Sequence, residues 1–443
     1  MTIKSICIEN FRCFTEFAIN LAPKVSVVIG RNGAGKSSLL KAMLYALGFV
    51  FSKEESLGQE LLVAGNYDVE MESIKKNEFY MKQFNGIPAS ITNIHAEGEY
   101  MGARLTWDIS QKNFEGEKPD VNKYVQAYKL FMDTFKRTDV LPVFAFFSDS
   151  FPHKVGGMTD FAKEQVANDG SVVRTFGYEQ WNGDTTNLNI WLNRLINAII
   201  RNTQLNNEDE YSRTESAYVT QKLMDFSKPI HEDCDDSFVI KTAFFKIRDN
   251  KELELWLRMK NDNDILFQNL PAGYLRLYSI VLDISYRHWI LNHNAKIEPE
   301  GIVMIDEVDL HLHPSLAVEA VERLERTFPK IQFVLTTHSP LVVSNIKTNT
   351  GDNKIFRMVK DENKPHEVPD IYGIDYNTAL HSVMESSYNN EVIEFLRSSI
   401  LRSMRRGKPD LVEAKKNELR QMVTPERFEQ IMADIQNSYH DNL

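Results

Sequence analysis

The segment from Gly30 to Ser37 reads Gly-Arg-Asn-Gly-Ala-Gly-Lys-Ser and matches the phosphate-binding pattern G-x-x-x-x-G-K-[ST]. Backbone amides in such a loop point at one anion, and Lys36 adds a positive charge at the β- and γ-phosphates. Ser37 supplies an oxygen ligand of the kind that Mg²⁺ prefers. The loop therefore predicts a site for a nucleoside triphosphate and Mg²⁺. The predicted nucleotide contacts are Arg31, Asn32, Gly33, Ala34, Gly35, Lys36, Ser37 and Ser38.

The residues on either side of this loop predict the elements that must hold it. The apolar run Val25–Ile29 precedes the loop and is typical of a buried strand. Ser38–Leu44 follows it and has the composition of the first turns of a helix. Because strand, loop and helix stand in the required order, a glycine-rich turn that matches by chance is a poor alternative.

Two adjacent carboxylates, Asp306 and Glu307, end the uncharged run Gly301–Ile305. Acidic pairs are common in solvated turns, but a carboxylate at the end of a buried strand is costly unless a cation lies nearby. The pattern therefore predicts that Asp306 holds Mg²⁺ through water. It also predicts that Glu307 acts as the general base on the attacking water.

A third polar group follows another apolar run. His338 comes directly after Ile331–Thr337, about thirty residues beyond the acidic pair. A histidine after a strand is more often structural than functional. In a sheet with a phosphate-binding loop, however, this end faces the γ-phosphate, where an imidazole can bond phosphate or the attacking water. We therefore predict a catalytic role for His338.

In this order and spacing the motifs resemble those of the ABC-type ATPases of the SMC/RecF/OLD group. Ile6–Phe14 is similar to the first strand and turn of that group. Within it, the chain most resembles compact ATPases of bacterial anti-phage systems such as Septu, PARIS and the retrons. The resemblance covers residues 1–50 and about 235–443 well, and residues 51–234 poorly. It implies an α/β fold, a P-loop NTPase of ABC type with a mixed sheet core, a helical insertion and a helical C-terminal segment.

The resemblance further implies that a second subunit completes the site. Leu270–Leu277 lies where the group has its signature, so Gly273 would contact the partner's nucleotide in trans. Pro271 and Ala272 depart from the usual Leu-Ser-Gly-Gly pattern and remove a serine hydroxyl, which implies slow hydrolysis or a switch-like use of ATP. Asp309 would be the corresponding loop residue in trans. Two alternatives to these contacts in trans stay open. Pro271 and Gly273 could serve only to form a strand-to-helix turn, and Asp309 could be a solvated residue at the start of a helix.

Composition limits the remaining possibilities. A chain of 443 residues that is 42% hydrophobic can bury a large core. Its three cysteines form no spaced pair, which is typical of a reducing cytosol. We expect a cytoplasmic protein without a membrane partner, because no apolar run is long enough to span a bilayer and no signal segment opens the chain. The formal net charge of −11 disfavours a surface coated with phosphate contacts, although a local basic groove for DNA stays compatible with it.

We expect four segments along the chain. Residues 1–50 form the first half of the ATPase core, and residues 51–234 a mostly helical insertion that could carry a sensor or partner surface. Residues 235–360 form the second half, with the signature, the acidic pair and the histidine. Residues 361–443 form a helical C-terminal segment, and Ile355–Val359 is expected to be the last strand.

Two classes of function fit these features. In the first, the chain is the ATPase sensor and scaffold of an anti-phage system and controls a separate effector nuclease. The chain shows no acidic metal-binding constellation of the kind that nuclease members of the group carry. In the second, it is a DNA-maintenance ATPase, similar to RecF and SMC proteins, whose ATP-bound dimer clamps duplex DNA. Both imply a homo-oligomer, at least a head-to-tail dimer.

Overall fold

The computed structural model describes residues 1–52, 71–81, 87–114, 116–150, 173–183, 188–204, 210–231, 237–248, 252–293, 296–379, 383 and 391–440. The strands are β1 (Thr2–Phe11), β2 (Phe14–Asn20), β3 (Val25–Gly30), β4 (Ile91–Tyr100), β5 (Ala103–Lys112), β6 (Val143–Phe147), β7 (Ile240–Ile247), β8 (Leu253–Met259), β9 (Asp264–Leu266), β10 (Glu300–Ile305), β11 (Lys330–Thr336), β12 (Asn353–Met358) and β13 (His366–Val368). The helices are α1 (Lys36–Leu47), α2 (Val125–Thr138), α3 (Leu188–Gln204), α4 (Glu210–Ser227), α5 (Ala272–Asn292), α6 (Pro314–Thr327), α7 (Pro340–Val343), α8 (Tyr376–Thr378), α9 (Glu391–Arg405), α10 (Pro409–Met422) and α11 (Pro425–His440).

The central sheet has the order β13-β12-β3-β11-β10-β6 within the described chain. All neighbouring strands pair in parallel except β12 and β13, which are antiparallel, so the sheet is mixed. Strands β3, β10 and β11 are buried along nearly their whole length. Their continuous apolar runs follow from this position, since a parallel strand covered on both faces needs apolar side chains on both.

A second sheet, of order β2-β1-β4-β5, is antiparallel throughout. Buried and exposed side chains alternate along β1 and β4, which places one face of this sheet on the core. The turn between β1 and β2 carries Arg12 and Cys13 toward the loop after β3. A third sheet, β7-β8-β9, is also antiparallel and precedes α5.

Helix α5 is deeply buried, and every residue from Arg276 to Leu291 lies in the interior. A network of buried polar groups ties it to α3 and α4. Asp283 accepts hydrogen bonds from Arg287 and from the indole of Trp191, at 2.7 Å in the second case. Because each of these buried polar groups has a partner, the helix can carry charged residues inside the core.

The chain divides into two compact units, Met1–Tyr376 and Asn377–Leu443. The second unit contains α9, α10 and α11, which enclose an apolar core of their own. That core is formed by Leu396, Ile400, Leu419, Phe428, Ile431, Met432 and Ile435.

The structure differs from the sequence-based expectation in two places. Residues 51–234 contribute helices, as expected, but also β4 and β5 to the antiparallel sheet. The apolar run 141–147 in this region is typical of a core strand, and the structure has it as β6 of the central sheet. Strand β12 is not the last strand, because β13 pairs with it beyond residue 360. In the described ranges, none of the helices has the length and apolar character that crossing a bilayer would require.

Candidate active site

The predicted motifs meet at one edge of the central sheet. Strands β3, β11, β10 and β6 are consecutive parallel neighbours, so their carboxyl ends lie side by side. Strand β3 leads into the Gly30–Ser37 loop, β10 into Asp306, β11 into Thr337 and His338, and β6 into Ser148. Residues from distant parts of the sequence are thereby brought to one site.

The phosphate-binding loop is held in shape by its glycines and by the β1–β2 turn. Gly33 and Gly35 have φ angles of 81° and 99°, in the left-handed region that favours glycine. A Cβ atom on Gly35 would lie 2.7 Å from the ring of Phe14 and 2.9 Å from Sγ of Cys13. Helix α1 starts directly after Gly35, and no acidic residue occupies its first turn. The positive end of the helix therefore faces the site without competition from a carboxylate.

Lys36 is only 7% exposed, and its Nζ donates to the carbonyl oxygens of Gly30 at 2.8 Å and Arg31 at 3.4 Å. Burial lowers the pKa of Lys36, while the charges of Asp306 and Glu307 act to raise it. The ammonium group thus lies inside the loop and in the field of the acidic pair. Of the other predicted contacts, Ala34 is buried, Gly35 and Ser38 are half-buried, and Arg31, Asn32, Gly33 and Ser37 are exposed.

Thr336 organises the acidic pair from the neighbouring strand. Its hydroxyl donates to Oδ1 of Asp306 at 2.5 Å and accepts the amide of Glu307 at 2.8 Å. Asp306 is 7% exposed, whereas Glu307 is half-buried and has a φ angle of 50°. The left-handed backbone at Glu307 is unusual for a residue with a side chain and turns it away from the line of β10.

The donor groups fit a hard divalent cation. Asp306 offers a carboxylate whose orientation is fixed by Thr336, and the exposed Ser37 offers a hydroxyl at the start of α1. Carboxylate, hydroxyl, water and phosphate oxygens are the usual ligands of Mg²⁺ in nucleotide sites. Ser37 and Asp306 are therefore suited to hold Mg²⁺ together with a nucleotide.

The segment after β11 presents His338 to the same edge. His338 is exposed by surface area, but neighbouring groups still remove part of its solvent, and this desolvation lowers its pKa. The charge of Lys36 lowers the pKa further, whereas the charges of Glu307 and Asp309 act to raise it. A lowered pKa keeps the imidazole neutral near neutral pH, so that one ring nitrogen can donate and the other can accept. His338 can therefore serve as a hydrogen-bonding group without adding a full charge.

A cavity of about 400 Å³ opens beside the loop and includes residues that the motifs did not indicate. Gly33 and Ala34 form one wall, and Arg12, Phe14 and Tyr80 form others. Phe14 lies in the Ile6–Phe14 segment that already resembled the ATPase group. Nothing in the sequence around Tyr80 pointed to the site.

The segment that resembles the signature begins α5. Gly273 is buried against the loop after the acidic pair, whereas Pro271 and Ala272 are exposed. A Cβ atom on Gly273 would lie 2.7 Å from the carbonyl oxygen of His311. In the described structure Asp309 accepts a hydrogen bond from Thr337 of its own chain. The roles of Gly273 and Asp309 in trans stay predictions.

A family model for the AAA ATPase domain matches residues 1–343, which include the loop, the acidic pair and His338. The chain belongs to the AAA ATPase domain family. It is an ATPase, and its mixed sheet with this loop between β3 and α1 confirms the predicted P-loop fold of α/β class. The predicted resemblance to retron and Septu ATPases is confirmed by the relatives of this AAA ATPase.

One relative is the retron Vc95 probable ATPase from Vibrio cholerae serotype O1 biovar El Tor. It is 24% identical over 385 residues, which cover 78% of this chain and 71% of the relative. The Septu protein PtuA of Bacillus mycoides strain KBAB4 is 38% identical over 92 residues, 18% of this chain and 13% of that protein. The DNA replication and repair protein RecF of Idiomarina loihiensis is 39% identical over 66 residues, 15% of this chain and 18% of that protein.

Proposed function

We propose that this protein is the ATP-binding and hydrolysing sensor or scaffold ATPase of a bacterial anti-phage defence system. It assembles through ATP-sandwich dimers and controls a separate effector nuclease in the cytoplasm. The observation that carries the ATP chemistry is the meeting of Lys36, Asp306, Glu307 and His338 at one sheet edge. The defence assignment is supported by the similarity to a retron ATPase over 78% of the chain.

In the proposed reaction, the loop amides and α1 bind the phosphates of ATP. Lys36 leaves the carbonyl oxygens of Gly30 and Arg31 and donates a hydrogen bond to a phosphate oxygen. This charge-assisted bond offsets the desolvation of the buried ammonium group. Ser37 and Asp306 would hold Mg²⁺, which would supply positive charge to the phosphate oxygens of bound ATP. The purine and ribose occupy the cavity between the loop and Phe14.

Glu307 accepts the proton of the water that attacks the γ-phosphorus, while the bond from that phosphorus to the bridging oxygen breaks and ADP leaves with that oxygen. Its amide is fixed by Thr336, so the carboxylate leaves the backbone in a defined direction. His338, as a neutral imidazole, donates a hydrogen bond to the γ-phosphate and orients it against that water. The two side chains follow the ends of adjacent parallel strands, β10 and β11, whose pairing brings them to the same edge of the sheet.

The second subunit would close the site through the start of α5. Pro271 and Ala272 are exposed there, and no acidic side chain lies in the first turn of this helix. Its amides could therefore approach the γ-phosphate held by the partner. Since Ala272 provides no hydroxyl to that phosphate, turnover would be slow. ATP bridges two surfaces in this arrangement, so assembly follows the nucleotide state.

A second candidate function is a DNA-maintenance ATPase whose ATP-bound dimer clamps duplex DNA. The similarity to RecF favours it, although that similarity spans only 15% of this chain. The formal net charge of −11 weighs against extensive phosphate contacts.

Steady-state ATP turnover, measured with and without linear duplex DNA, distinguishes the defence ATPase from the DNA-maintenance ATPase. The defence assignment predicts slow turnover that DNA leaves unchanged and that Glu307→Gln abolishes. Strong stimulation by DNA, lost again at raised salt, would favour the clamp instead. Absence of turnover in both conditions, with Glu307→Gln indistinguishable from wild type, would remove the assigned catalytic site.

A further inference from the structure

Arg276 connects the start of α5 to the ends of two strands. It lies one helical turn after the exposed Ala272 and is itself 1% exposed. Its NH2 group donates to the carbonyl oxygen of Asp306 at 2.8 Å and to that of Ser148 at 3.2 Å. Its NH1 group donates to the carbonyl oxygen of Asp149 at 3.3 Å. One guanidinium therefore joins α5 to the carboxyl ends of β10 and β6.

The peptide between Asp306 and Glu307 is held from both sides. Arg276 bonds its carbonyl oxygen, and the hydroxyl of Thr336 accepts its amide at 2.8 Å. Because Glu307 has a left-handed backbone with φ of 50°, small rotations of this peptide redirect its carboxylate. The position of the proposed base thus depends directly on the guanidinium.

Close packing at Gly273 joins the same elements. A Cβ atom there would lie 2.7 Å from the carbonyl oxygen of His311 and 3.0 Å from the side chain of Leu312. At Gly273, the start of α5 and the loop that follows Glu307 leave no room for a side chain between them. A displacement of one must move the other, since close-packed contacts transmit strain.

We propose that Arg276 is a positioning residue that couples nucleotide bound by the partner subunit to Glu307 of its own subunit. The proposal rests on the ATP-sandwich dimer proposed above. The partner's γ-phosphate would meet the start of α5, and the planar guanidinium would carry the resulting shift to the carbonyl oxygen of Asp306. A lysine cannot do the same, because its single ammonium lacks a rigid fork that spans two strand ends. Each subunit then hydrolyses ATP efficiently only when its partner is loaded.

The test compares Arg276→Lys with Arg287→Lys in the full chain. Arg287 is the control, since it lies on the same helix, is also buried and bonds Asp283 as well as two backbone carbonyl oxygens, those of Gly177 at 3.0 Å and Glu179 at 2.9 Å. ATP turnover is measured against ATP concentration to give kcat, the half-saturating concentration and the Hill coefficient.

We expect Arg276→Lys to lower kcat at least about tenfold, as a misplaced base would, with little change in half-saturation. Its Hill coefficient should fall to about one, while Arg287→Lys keeps the wild-type kcat and Hill coefficient. The inference is overturned if Arg276→Lys behaves like wild type, or if both variants lose kcat and cooperativity equally. Should Arg276→Lys fail to fold, Arg276→Met replaces it, and unfolding of both would make Arg276 structural and also overturn the inference.

The native mass of Glu307→Gln with Mg-ATP distinguishes a failure of the coupling role of Arg276 from a failure of the proposed ATP-sandwich dimer. If that protein stays a monomer, the sandwich dimer itself is wrong. If it dimerises while Arg276→Lys retains cooperative turnover, only the coupling role fails.

Discussion

The hydroxyl of Thr337 donates to Oδ1 of Asp309 at 2.5 Å. This bond joins the segment that leads to His338 with the loop that follows Glu307, and the same hydroxyl accepts the amide of Ser339 at 2.9 Å. With Thr336 bound to Asp306, two consecutive threonines on β11 and its end orient two acidic residues after β10. The position of Asp309, which we propose contacts the partner subunit, is thus fixed by its own chain.

Thr337→Val removes this hydroxyl and leaves both Asp309 and the Ser339 amide without that bond. The loss of one hydrogen bond to a charged group costs about 1.5–3 kcal/mol, so ATP-dependent dimerisation should weaken about tenfold or more. ATP binding to the monomer should not change, because the described bonds of the Thr337 hydroxyl are to Asp309 and the Ser339 amide and not to the phosphate-binding loop. Sedimentation at several protein concentrations measures the effect, and Thr337→Ser, which keeps the hydroxyl, is the control. Equal dimerisation of the valine and serine variants would contradict the role given to Asp309.

Lys36→Ala should lose most ATP affinity. The side chain is buried inside the loop, and its replacement removes the charge that meets the β- and γ-phosphates. We expect the dissociation constant, measured by calorimetry, to rise at least about tenfold. Lys41→Ala changes a lysine on the same helix that lies over the ring of Tyr45, and it should bind ATP normally. Unchanged affinity in Lys36→Ala would refute the assignment of the loop.

Ala272→Asp tests the contact in trans. Ala272 is exposed at the first position of α5, where an aspartate is favourable for the helix, so the fold should be retained. The new carboxylate would face the partner's γ-phosphate and should abolish ATP-dependent dimerisation while ATP still binds. Ala272→Ser, which restores a hydroxyl, should dimerise and turn over ATP at least as fast as wild type. If the aspartate variant dimerises normally, α5 does not cover the partner's nucleotide.

The stability of the protein should fall in mild acid partly through His293, which ends α5 with φ of 47°. Burial, with help from Arg174 and Arg194, lowers the pKa of His293 from 6.5 to about 4. As the pH falls through 6.5, His293 becomes protonated in the unfolded chain, whereas in the folded chain it stays neutral until about pH 4. The free energy of unfolding therefore falls across this pH range.

After allowance for solvent screening, the loss is on the order of 1–2 kcal/mol. His293→Asn removes the titrating group and keeps a residue that tolerates the left-handed conformation. Urea unfolding above pH 6.5 and near pH 4 should show a smaller loss in the variant. The same loss in both proteins would show that His293 does not contribute.

The motifs at the sheet edge could be predicted because each has a local signature. A strand, a glycine-rich loop and a helix specify the position of Lys36, and an apolar run that ends in acids specifies Asp306 and Glu307. Parallel pairing then brings these segments together, as the structure describes for β3, β10 and β11.

The residues that support the motifs could not be predicted in this way. Thr336 and Arg276 act through hydrogen bonds to backbone and carboxylate groups that are distant in sequence, and a threonine in a strand or an arginine in a helix carries no local signal. Strand β4 contains Gly98 and several polar residues, and its alternation becomes apparent only once it pairs with β1 and β5. Tyr80 joins the cavity beside the loop only through tertiary contact.

The native mass of Glu307→Gln by light scattering, with Mg-ATP and with Mg-ADP, tests nucleotide-dependent assembly directly. Loss of the general base should slow hydrolysis about a hundredfold or more and trap the ATP state. We expect a dimer or larger assembly with Mg-ATP and a monomer with Mg-ADP. A protein that binds ATP but keeps the same mass with both nucleotides would contradict the ATP-sandwich dimer.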